Sequence, residues 1–395
     1  MTNLSRRMLL RGAAVLAGAS ALPARAALPV RKALALVFLP GGFGALHCTP
    51  QSLGGTFGTT ADSMTPTGTG LFVDKATFGG FSSAVLRQMA VVGVDHGLTA
   101  HSVAVSSMFT GSSSYPLALA AAMQSEGALR CALFGDMPSS AAFSSVAGAS
   151  LALVRDVQPA IDIMVGSTRA GEPPRGAMAR GLRLSYTLSK SMIERNPRTL
   201  AGNATGYDTL IGALEKPVRL LDWREIATRY GLDPSSTVVS SNASRFAAAE
   251  LAIRGGTSVV IVPPVAGISC GEAGWDTHGD ESGACVRTMF GAQLSPHLGR
   301  FLESTLAMQD TQVTTVVFGE FSRDPYLSDH ARCLSAAVFG PTVKPGSTGA
   351  AFNRDGKLAM PDGTPGILQF WALLAELAGV TSKPFGANPH RLVAG

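Results

Sequence analysis

The chain has 395 residues, 46% of them hydrophobic and only 15% charged, with a formal net charge of +5. A charged share well under the usual quarter excludes an acidic disordered tail, a coiled coil or a highly charged surface protein, and the length is enough to bury a large core. The basic surplus is local: Arg6, Arg7, Arg11 and Arg25 lie in a first 26 residues that hold no acid, and without them 28 bases face 27 acids. No nucleic-acid footprint is expected from that balance.

Residues 5–11 read SRRMLLR, followed by the apolar, small-residue run GAAVLAGASAL and then Ala24-Arg25-Ala26. A charged start, a short apolar stretch and an A-x-A site describe a removable export signal over residues 1–26. The paired arginines resemble a twin-arginine signal, so the mature protein is expected in the periplasm or outside the cell. No later run offers the roughly 18 uninterrupted apolar residues of a membrane span, so no transmembrane segment is expected in the mature chain. The cysteines number five, an odd count. Cys270 and Cys285 could close a disulfide loop around the motif between them, or stay buried thiols.

The run ALALVFL (33–39) reads as a buried strand emptying into Pro40-Gly41-Gly42. Residues 51–80 read as a Gly/Thr-rich surface loop, MAVVGVDHG (89–97) as a second strand and turn, and HSVAVSSMFTG (101–111) as a short helix. The weaker pattern over about 112–235 reads as an inserted cap. SRFAAAELAIRGG (244–256) is a helix stopped by glycines, and TSVVIVPP (257–264) is a buried strand stopped by prolines. Phe290, Leu294, Leu298, Phe301, Leu302 and Leu306 recur at helical spacing, VTTVVFG (313–319) is another buried strand, and ILQFWALLAEL is a core helix. Unbroken apolar strands alternating with helices predict an α/β fold with a mostly parallel sheet covered on both faces. Ligands then gather beyond the carboxyl ends of the strands.

Several of the seven histidines fall at such ends. His47 follows the first strand, and His96 and His101 follow the second. Asp276, His278 and Asp280 follow the Pro-Pro strand; Glu320 follows VTTVVFG, with Asp329-His330 ten residues later. Carboxylates and imidazoles converging from separate strands suit one or two divalent ions, Zn, Mn or Mg, able to assist ester hydrolysis. The metal candidates are Asp276, His278, Glu320, Asp329 and His330. Arg323 offers a planar fork for an anionic substrate.

These pieces carry a resemblance. SRRMLLR, the opening strand with its glycines, LRQMAVVGVDHG before AHSVAVSSMFTG, GWDTHGD, and VVFGEFSR with a following Asp-His resemble an exported bacterial family called domain of unknown function 1501, within the alkaline-phosphatase-like superfamily. The resemblance runs to about residue 350, with a poor match in the middle third. It implies a three-layer α/β/α sandwich and metal-assisted phosphate or sulfate ester chemistry. It also implies His101 close to the reacting group, where the superfamily carries its nucleophile, with Ser102 or Thr99 as neighbouring hydroxyls. The family's first strand usually ends Gly-Gly-x-Asp-Gly, whereas this chain has Gly44 in place of the carboxylate. Leu327-Ser328 and Ala331 also replace the family's flanking Gly-Thr and Gly around the Asp-His pair.

Two other readings remain at this point. One is a binding or assembly protein on the same fold that has lost turnover, its partner another exported protein rather than a small anionic ester. The other is a serine hydrolase, since Gly267-Ile268-Ser269-Cys270-Gly271 fits G-x-S-x-G, although that stretch does not lead directly into a helix.

Overall fold

A computed structural model describes residues 30–42, 48–49, 63–123, 127–165, 221–267, 274–280, 283–323, 330–348, 351–352, 358–359 and 363–394. Residues 1–26, read above as an export signal, and all of residues 166–220 lie outside these. So do His47, Gly44, Ser269, Cys270 and Asp329.

The apolar runs become the strands of one eight-stranded sheet. In chain order they are β1 (Arg31–Phe38), β2 (Met89–Asp95), β3 (Cys131–Leu133), β4 (Leu151–Leu153), β5 (Val259–Val262), β6 (Thr311–Phe318), β7 (Cys333–Phe339) and β8 (Gly346–Thr348). Across the sheet the order is β8-β2-β7-β6-β1-β5-β3-β4. β1 sits at the centre, parallel to β6 from Arg31↔Thr311 to Phe38↔Phe318 and parallel to β5 from Leu34↔Val259 to Val37↔Val262. Every described strand of this sheet runs the same way except β7, which lies antiparallel between β6 and β2.

Period-two alternation sends the side chains of β1 into two separate cores. Ala33, Ala35, Val37 and Leu39 face one layer, which contains helices α3 (Asn242–Arg254) and α5 (Ser295–Leu306). Leu34, Leu36 and Phe38 face the other, which contains α1 (His101–Phe109), α2 (Tyr115–Ala122) and α6 (Ile367–Leu377). Phe38 lies edge-on to Phe109 at 4.9 Å between ring centroids and 5.3 Å from Phe318. With helices on both faces, the fold is a three-layer α/β/α sandwich, as the unbroken apolar strands require. Each fully buried Leu or Phe contributes about 1.5–3 kcal/mol of transfer free energy, which is why β1, with six of its eight residues buried, is the spine of the molecule.

Two elements differ from the expectation. Residues 131–133 and 151–153, inside the stretch read as an inserted cap, are the last two strands of the main sheet, with 151–153 at its edge. CAL and LAL are too short to show a periodic signal. The helix read over Phe290–Leu306 is likewise not one continuous α-helix. Helix α4 (Ala284–Met289) passes through a π-turn at Phe290–Leu294 into α5, and Pro296 stands in the first turn of α5, where its missing N–H costs nothing. Among the described residues no helix is long and apolar enough to cross a membrane.

Candidate metal centre

The site is built where β1, β2, β5 and β6 end and where β7 begins. Because β7 runs against its neighbours, its first residues share an edge with the last residues of the parallel strands. His330 therefore stands three residues before β7 and returns to the segment just after β6, where Ala331 N–H donates to Ser322 O at 2.9 Å.

After β1 the chain turns at Gly41, whose φ of +116° suits glycine alone. A Cβ there would stand 2.3 Å from Asp276 N, so this turn packs directly on the backbone of the second loop. The turn exposes Gly41 N–H, which donates to both oxygens of Glu320 at 2.9 and 3.1 Å. Glu320 is 1% exposed and accepts a further hydrogen bond from His101 Nδ1 at 2.6 Å. His101 opens α1, six residues after β2 ends.

The loop after β5 is anchored by Trp275. Its indole N–H donates to Pro264 O at 2.9 Å and its backbone N–H to Pro40 O at 3.2 Å. Asp276 follows. Its Oδ1 accepts from His278 Nδ1 at 2.6 Å, from His278 N at 3.1 Å and from Arg323 Nη2 at 2.5 Å. Arg323 is 2% exposed; it also donates to Gly41 O, and its guanidinium lies 5.3 Å from the Phe321 ring. The buried cation therefore ties Asp276 to the β1 turn. His330 Nδ1 bonds Thr99 O, and its ring packs 4.3 Å from that of Phe321.

His101, His278 and His330, all half-buried, each offer one ring nitrogen, and these three atoms lie within 4.8 Å of one another. Chemistry decides which nitrogens they are. A carboxylate or a carbonyl can only accept, so the Nδ1 atom facing Glu320, Asp276 or Thr99 must carry the proton. Each Nε2 is then left with a lone pair. Histidines held in this way through the second nitrogen are the usual ligands of zinc and similar ions. His101 Nε2 is buried without a hydrogen-bond partner and lies 3.4 Å from Asp276 Oδ2. Ligands about 2.05 Å from a tetrahedral ion stand about 3.3 Å apart, so Asp276 Oδ2 is placed as a candidate fourth ligand. Burial lowers the pKa of His330, and Arg323, His101 and His278 add to that effect against the bond to Thr99 O, so the neutral ring is favoured at pH 7.

The structure brings His278, His330 and Asp276 together with His101, and its three imidazoles could hold a metal ion. Glu320 stands behind His101 rather than beside an ion, because both its oxygens turn inward to Gly41 N. Arg323 holds Asp276 instead of reaching outward for a substrate. Ser102 is exposed on the first turn of α1, and Asp329 lies outside the described residues. Gly41 and Thr99, which fix two of the three imidazoles through backbone groups, carry no side-chain signal. Cys285 is disulfide-bonded. Cys131 and Cys333 are free and buried, and burial raises both thiols, Cys333 to about 12 with help from Asp95, so neither is a nucleophile at neutral pH.

No family model, curated protein or solved structure matches the chain.

Proposed function

We propose that this protein is an exported, metal-dependent hydrolase of a phosphate or sulfate ester. The observation that carries the reading is the convergence of three imidazoles, each with its Nδ1 tied to an oxygen acceptor and its Nε2 directed to a common centre. His101, His278 and His330 would hold a Zn, Mn or Mg ion, with Asp276 Oδ2 beside them. A bound divalent ion supplies Lewis acidity toward an ester oxygen.

The chain's own groups prepare the pocket. Glu320 and Asp276 fix the tautomers of His101 and His278. Arg323 keeps Asp276 from turning away, and Phe321 walls the rings of His101 and His330. Charge supports an anionic substrate. Two carboxylates stand against one guanidinium, and a divalent ion held there would add positive charge suited to an anionic group. Ser102, the hydroxyl nearest His101 in sequence, is assigned the attack: its Oγ would bond to the phosphorus or sulfur as the bond to the ester alcohol breaks, and the serine proton would pass to the departing alcohol oxygen. The export address at residues 1–26 supports a periplasmic or secreted location, and the resemblance to the 1501 family supports the ester chemistry.

One observation favours a second reading, a metal-holding binding or assembly protein without turnover. Among the described residues Ser102 has no hydrogen bond to a base, as an activated hydroxyl would. A single experiment separates the two. The mature chain is purified without chelators, its metal content is measured, and its rates on aryl phosphate, phosphodiester and sulfate esters are compared with those of His278→Ala. The hydrolase reading expects at least one ion per chain and a rate on one ester class that falls at least a hundredfold in the variant. Metal-loaded protein without turnover supports the second reading, and metal-free protein indifferent to added Zn, Mn or Mg removes both.

A further inference from the structure

We infer that Arg245 anchors an oxyanion-binding subsite at the carboxyl edge of β3 and β5, separate from the imidazole cluster. Arg245 lies in the first turns of α3 and is only 9% exposed. Its Nη1 donates to Pro263 O, just beyond β5, while its Nε is buried without a partner. The acid whose charge reaches it is Asp136, after β3, but Asp136 is ion-paired at 3.1 Å to Arg155. Among the described residues, the trio of Arg245, Arg155 and Asp136 therefore keeps one positive charge in surplus. Burying a cation without a counter-ion costs several kcal/mol, and cations so placed are normally paired.

The surrounding backbone is shaped around this guanidinium. Gly135 has φ +126°, and a Cβ there would stand 2.6 Å from Arg245 Cζ. The glycine lets the planar group lie flat against the chain at the point where parallel strands open, which is where such sheets receive ligands. A guanidinium with an unused Nε edge matches the geometry of phosphate, sulfate or carboxylate oxygens. In strand order Pro263 and Gly135 lie two and three strands from Glu320, so the subsite stands about 10–14 Å along the edge from the imidazoles. It does not depend on the metal reading.

The test uses the full mature chain dialysed against a chelator, so that no ion contributes. Inorganic phosphate, and separately sulfate, is titrated calorimetrically into wild type, Arg245→Lys and Arg245→Met. The subsite predicts one anion per chain, with affinity at least tenfold weaker in Arg245→Met and intermediate in Arg245→Lys. It further predicts that phosphate slows phenylglyoxal labelling of Arg245 in the wild type, a readout that stands even if Arg245→Met does not fold. Wild type that binds neither anion, an Arg245→Met variant that binds equally well, or labelling of Arg245 indifferent to phosphate would each overturn the inference.

Discussion

Glu320→Gln is the sharpest perturbation of the site because it changes charge and hydrogen-bond polarity at nearly constant shape. The carboxylate now accepts from two donors, Gly41 N–H and His101 Nδ1–H. Gly41 N–H and His101 Nδ1–H both reach Oε1, so an amide oxygen in that position accepts from both while its NH2 group faces Gly41 N–H from the Oε2 position; the opposite rotamer turns the NH2 group onto His101 Nδ1–H and leaves that donor unpaired. A buried donor left unpaired costs about 1–3 kcal/mol. If His101 is the one released, its ring loses both its tautomer preference and its orientation. Loss of such a supporting partner typically weakens metal binding about 10–100-fold, a figure that agrees with one such donor released. Competition with a chromophoric zinc chelator reads that change directly, and chemical denaturation of the metal-free proteins reads the stability loss. Zinc affinity within a factor of two of wild type, in a folded variant, would refute the argument that Glu320 sets the His101 tautomer.

Two further outcomes follow from the same geometry. Arg323→Met removes the cation from a buried pair and leaves Asp276 with an uncompensated charge; we expect a loss of about 3 kcal/mol, with added zinc restoring part of it as a replacement counter-charge, and melting curves with and without zinc check both signs. His390 is 1% exposed, with Nδ1 2.6 Å from Thr348 Oγ1, and burial lowers its pKa to about 4. The unfolded chain takes up this proton near pH 6.5 and the folded chain only near 4, so stability present above 6.5 is lost as pH falls toward 4, by up to about 3 kcal/mol. Urea unfolding across pH 4–7 should show a shallower acid decline in His390→Gln than in wild type.

Much of this architecture is legible in the amino acids. ALALVFL, VVIV and TTVVF are apolar without alternation, and that pattern alone requires burial on both faces and places their ends along one edge. What escapes is short or depends on topology. CAL becomes a strand by pairing with β5 and LAL by pairing with CAL, and no periodicity marks three residues. The antiparallel course of β7 decides where His330 goes, and CLSAAVF does not announce its direction.

The site shows the same division. Asp276 and His278 are visible as a compact pair after a strand. The role of Glu320 is not, because it depends on a backbone N–H exposed by the turn at Gly41. In sequence His101 looks like a helix-opening residue, and only its distance to His278 and His330 groups it with imidazoles that could hold an ion. The burial of Arg323 under Asp276 is likewise invisible in GEFSR, where an arginine three residues after Glu320 reads equally well as a substrate clamp.

The most direct measurement is X-ray absorption at the zinc edge of the metal-loaded mature chain. The account predicts three imidazole nitrogens and one oxygen donor at about 2.0–2.1 Å, with one imidazole lost in His330→Ala. A first shell of sulfur or of oxygen alone, or a spectrum unchanged by that substitution, would contradict it.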